Sequence, residues 1–140
     1  MDSPTVLCID DRPQVLELVW GLRRATLESH DYCVKIASSG YTVMKVLENT
    51  SVDAVLLEYR LEHMDAEAVA YHIKQQFPNL PIILLSAYFQ MPERILWLVD
   101  EYVMKSELPE GLVRIIERET RAHRLAPRSN ERCKCKGAAA

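Results

Sequence analysis

Glycine is scarce in this chain, with four residues in 140. That leaves little material for a loop whose backbone N–H groups could cradle phosphates, and neither a Walker loop nor a G-x-G-x-x-G fingerprint occurs. Nucleotide use is therefore not expected. Long apolar runs are missing too: no stretch approaches the roughly 20 residues needed to span a bilayer. The start, MDSPTV, has neither the basic residues nor the apolar middle of a secretory signal. A cytoplasmic protein without membrane contact is the expectation. The four cysteines make no disulfide framework, since Cys8 and Cys33 lie in apolar strand-like runs while Cys133 and Cys135 sit in a polar tail. Reduced thiols are expected, and the Cys133-x-Cys135 pair lacks the further nearby ligands of a structural zinc site. No DNA-reading motif is present, so direct nucleic-acid contact is not expected either.

The chain does have enough apolar material for one core. Hydrophobic residues make up 49% and charged residues 26%, ordinary values for a single soluble domain of this size. The net charge of -3 is unevenly spread, with -8 over residues 1–113 and +5 over residues 114–140. The basic end reads as a solvated last helix followed by a tail, LAPRSNERCKCKGAAA, whose Pro127 and polar, small residues predict disorder over 125–140. The folded domain is expected to span residues 1–124.

Five short apolar runs, TVLCID (5–10), YCVKIA (32–37), DAVLLE (53–58), PIILLS (81–86) and EYVMK (101–105), alternate with helical patterns. Asp11 with Pro13 starts the first helix, whose apolar residues recur to about Glu28; SSG leads into a second carrying Val43, Val46 and Leu47. Asp65 caps a third with Ala66, Val69, Ala70, Ile73 and Phe77 on one face. A fourth runs from about Pro92 to Leu98, and a fifth from Ser106 and Pro109 to about His123. Parallel strands need crossover connections, so this alternation predicts a doubly wound α/β domain with a five-stranded parallel sheet and helices on both faces.

In such sheets the chemistry gathers beyond the carboxyl ends of the strands. Here those ends carry Asp10 and Asp11, Glu58, Ser86 and Lys105. Clustered carboxylates repel unless a cation offsets them, and Mg2+ takes one or two carboxylates with water and carbonyl oxygens. A hydroxyl and an ammonium opposite the metal suit the peripheral oxygens of a phosphoryl group.

On the segments LCIDD, DAVLLEYRLEHMD, PIILLSA and EYVMKS, the chain resembles the receiver domains of two-component response regulators over about residues 4–124. The resemblance implies the flavodoxin-like strand order 2-1-3-4-5, as in chemotaxis receivers. It also implies Mg2+ held by Asp10 and Asp11, the latter directly, by the acceptor position Glu58 and by the backbone carbonyl of Arg60. Ser86 matches the hydroxyl that contacts the phosphoryl group, Lys105 the lysine that pairs with it, and Tyr102 the aromatic whose rotation reports the state. Expected partners are a histidine kinase or a downstream signalling protein, with a homodimer through the face of helix four, strand five and helix five. No enzyme activity is expected.

The family's acceptor is Asp, and this chain has Glu58. A carboxyl one methylene longer reaches roughly 1.5 Å further and misses the in-line geometry of an aspartyl oxygen, so normal phosphotransfer is not expected. Glu58 then either imitates the phosphorylated state or forms an ion pair with Lys105 in a fixed scaffold. Alternatives are a receiver phosphorylated at another site and a Mg2+-dependent phosphoryl-handling enzyme using Asp10, Asp11 and Glu58. Glu62 and His63 replace the family's usual Pro-Gly, and Ser106 replaces the proline that favours a cis peptide after the lysine. Only 18 residues separate Ser86 from Lys105, which predicts a short or irregular fourth helix. The neighbouring Tyr88, Phe89, Met91, Trp97 and Tyr102, like Trp20, are read either as core or as interface residues.

Overall fold

The computed structural model describes residues 3–12, 24–87, 90–104 and 110–125. Its elements are β1 (Thr5–Ile9), helical residues 24–29 (α1), β2 (Cys33–Ala37), α2 (Gly40–Asn49), β3 (Ala54–Glu58), α3 (Ala66–Gln76), β4 (Ile82–Ser86), α4 (Glu93–Leu96), β5 (Glu101–Met104) and α5 (Glu110–Leu125). The five strands form one parallel sheet in the order β2-β1-β3-β4-β5. Fold class and strand order are those expected from the sequence.

Strand periodicity explains the two-layer core. Val6 and Cys8 on β1, Ala54 and Leu56 on β3, and Ile83 and Leu85 on β4 pack with Leu27, Leu112 and Ile116. The intervening Leu7, Ile9, Val55, Leu57, Ile82 and Leu84 pack on the other face with Val43 and Leu47 of α2 and Ala66, Ala70 and Ile73 of α3. Successive side chains point to opposite faces, so strands buried on both faces must be apolar throughout. All five residues of β1, β3 and β4 are buried, while the edge strand β2 exposes Cys33, Lys35 and Ile36.

Helix starts follow local capping chemistry. Ser39 accepts a hydrogen bond from the Thr42 N–H ahead of α2, and Asp65 accepts one from the Glu67 N–H ahead of α3. The fourth helix is a single turn, and it leaves Trp97 80% exposed.

At the amino ends of the strands, the basic end of α5 is anchored rather than solvated. Arg124 binds both carboxylate oxygens of buried Asp53, each at 3.1 Å, His123 Nδ1 lies 3.6 Å from Asp53, and the Thr5 N–H donates to it at 2.9 Å. Burial opposes ionisation of Asp53, but these partners outweigh it and hold the carboxyl at about 2. The helix therefore runs to Leu125, slightly past the boundary expected from the sequence.

Candidate functional site

Parallel registry sets the carboxyl ends of the central strands side by side. Glu58 pairs across from Leu85, and Ser86 from Met104, so the carboxyl ends of β3, β4 and β5 lie within one residue of one another. Asp10 leaves the end of β1, where its N–H still donates to the Ala37 carbonyl at 3.1 Å. Asp10, Asp11, Glu58 and Ser86 are all buried, Glu58 to within 1% of full burial. Lys105 and Ser106 lie outside the described residues, as do Trp20, Tyr88, Phe89 and the tail after residue 125.

The three acids are stabilised in different ways. Asp11 is held by the backbone of the loop after β3: Glu62 N–H donates to Oδ1 at 2.8 Å, and His63 and Met64 N–H donate to Oδ2 at 2.6 and 2.9 Å. Burial pushes this carboxyl up, yet the three donors outweigh burial and leave it below the usual carboxylate range. The loop achieves this without the glycine of the family's turn, since Asp31 is the sole non-glycine with positive φ among the described residues. The His63 side chain itself is exposed, and its charge adds the smallest of the contributions that lower Asp11.

Asp10 and Glu58 share a different partner, Arg12, which was not among the residues expected at the site. The Arg12 N–H donates to Asp10 Oδ1 at 2.9 Å, and its guanidinium stands 3.9 Å from Asp10 Oδ1 and 3.9 Å from Glu58 Oε2. Arg60 N–H adds a long contact of 3.4 Å to the same Glu58 oxygen. The available signal was the string CIDDR, in which a base directly follows the acid pair. A base so soon after a strand's end is easily taken for a solvated side chain, but here the buried acids draw it inward.

On the flank of the pocket, the Tyr102 ring packs against the core cluster that contains Leu84 and Ile95. Its hydroxyl is buried without a hydrogen-bond partner among the described residues. Met91 packs against the same cluster, whereas Trp97 projects into solvent. The aromatic-rich segment thus divides between core and surface.

Residues 6–117 match the family model for the response regulator receiver domain, and the chain belongs to that family. Among curated relatives, the transcriptional regulatory protein GlrR of Escherichia coli is 34% identical over 90 residues, 64% of this chain and 19% of GlrR. The chain therefore spans about a fifth of that relative's length. Solved structures are similar as well. The response regulator TrrA of Thermotoga maritima, in complex with Mg2+-BeF, is 27% identical with a TM-score of 0.70, over 82% of this chain and 97% of that one. The receiver domain of the sensor histidine kinase PA1611 of Pseudomonas aeruginosa, with magnesium in its active-site cleft, is 26% identical with a TM-score of 0.71, over 84% and 98%.

Those two neighbours hold Mg2+, and the donor set here can be compared with what the ion requires. Mg2+ needs near-octahedral oxygens at about 2.0–2.1 Å. Both Asp11 oxygens already accept backbone N–H bonds, and a guanidinium faces Asp10 and Glu58. Among the described residues no group of three or more His, Cys, Asp or Glu side chains is placed to hold a metal. In this arrangement the residues do not fit the ion. Among the described residues, no helix is long and apolar enough to cross a membrane.

Proposed function

We propose that this receiver domain is a cytoplasmic signalling module held in one state, which acts through protein contacts without a normal aspartyl-phosphate cycle. The observation that carries this reading is Glu58 at the acceptor position, buried and facing the Arg12 guanidinium. A carboxylate in that charge environment is a weaker nucleophile, and its extra methylene displaces it from the in-line position. Its constant charge of -1 partly replaces the about -1.5 to -2 of a phosphate. The buried Tyr102 hydroxyl is in keeping with a side chain seated in a single position.

Ser86, buried at the end of β4, and Lys105 stay proposed as the hydroxyl that would contact a phosphoryl group and the lysine that would pair with it. The partner would be a histidine kinase or a downstream signalling protein, and the reading surface the face of α4, β5 and α5, where Trp97 stands exposed. A second copy of the domain could use the same face.

Intact-mass analysis after incubation with acetyl phosphate and MgCl2 tests the central point. The wild-type protein is expected to gain no phosphoryl mass. Gain of a phosphoryl group mapped to Glu58 would overturn the reading, and gain mapped to another residue would replace it with that of a receiver phosphorylated elsewhere.

A further inference from the structure

We propose that Arg12 is the resident cation of the acid pocket: its guanidinium balances Asp10 and Glu58 in the role a divalent ion plays in other receivers, and so excludes Mg2+. Three observations support this. Among the described residues, Arg12 faces two buried acids at once, Asp10 just after β1 and Glu58 at the end of β3, at 3.9 Å each. Its side chain is only 16% exposed, although an arginine just past a strand's end could extend into water. Finally, Asp11 needs no metal, because three backbone N–H groups satisfy it.

Glu58 and Arg12 are matched in length. Shortening Glu58 by a methylene would withdraw its carboxylate by roughly 1.5 Å and weaken a contact that already stands at 3.9 Å. The backbone N–H of Arg12 also grips Asp10, so the side chain starts from a fixed point and loses little further freedom in turning inward. A divalent ion entering between Asp10 and Glu58 would meet this fixed positive charge at contact distance, and the like charges repel. This holds whether or not Glu58 can accept a phosphoryl group, so the two proposals can fail separately.

The test is titration of MgCl2 and of MnCl2, at constant ionic strength, into the wild type, Arg12→Gln and Arg12→Lys, read by calorimetry and by melting temperature. Wild type and Arg12→Lys are expected to show no saturable heat and no rise in Tm at about 10 mM metal, since a ligand stabilises by RT ln(1 + [L]/Kd). Arg12→Gln is expected to bind at least about tenfold more tightly and to gain Tm. Saturable Mg2+ binding by the wild type with an affinity like that of Arg12→Gln would overturn the proposal, as would failure of folded Arg12→Gln to bind. Should Arg12→Gln fold only with metal present, the proposal is supported. Should it not fold at all, the other two proteins decide: saturable Mg2+ binding by either contradicts it, and binding by neither supports it.

Discussion

The pairing of Asp53 with the end of α5 yields a quantitative prediction far from the acid pocket. A carboxyl lowered from 3.8 to about 2 contributes roughly 2.5 kcal/mol to folding when ionised. Because the folded-state value lies below the unfolded one, this contribution is fully present above about pH 4 and is lost as pH falls towards 2. Asp53→Asn keeps an acceptor for the Thr5 N–H but removes the charge facing Arg124 and His123. Breaking a buried pair can cost about 3–5 kcal/mol. Arg124 is 36% exposed and can turn to water once released, so a loss near 2 kcal/mol is expected at pH 7, on the order of 10 °C in Tm. Urea denaturation of both proteins at pH 7 and pH 3 measures it. The variant should be weaker at pH 7, and its stability should fall less steeply with acid than that of the wild type. Equal stabilities at pH 7, or parallel acid limbs, would refute the reasoning.

Three further outcomes are expected. Burial, and after it the neighbouring Glu101, raises Glu119 to about 7. An acid whose folded-state value is raised is least unfavourable when protonated, so wild-type stability should decline as pH rises from about 4.5 to 7. Glu119→Gln should remove that decline and raise Tm at pH 8, as read by thermal melts across the range. Asp11→Ala leaves the N–H groups of Glu62, His63 and Met64 without their acceptor. Stability should fall by about 1–3 kcal/mol, with faster amide exchange at those residues. Trp97→Ala should change stability by less than about 0.5 kcal/mol, because the side chain is 80% exposed; chemical denaturation checks it.

Periodicity alone makes most of the fold legible. β1, β3 and β4 are apolar at every interior position because both sheet faces are covered, and the Asp65 cap marks α3 to the residue. The short α4 can be read from the few residues between Ser86 and Lys105. What stays hidden is the tertiary pairing of charges. Arg12 follows an acid pair and Arg124 opens a basic tail, and both patterns usually belong to solvated side chains. Their partners Glu58 and Asp53 are distant in sequence, so only the folded sheet brings them together. Likewise, nothing in YRLEHMD announces that its backbone N–H groups converge on Asp11, because backbone donors leave no trace in side-chain identity.

Under the proposed reading Glu58, balanced from within the chain, leaves the pocket unable to accept a phosphoryl group on a metal. Amide NMR of the wild type during titration with MgCl2 and beryllofluoride, a tetrahedral phosphoryl mimic, measures this residue by residue. Unchanged signals at Asp10, Arg60, Ser86 and Tyr102 are predicted; saturable shifts at these four positions would contradict it.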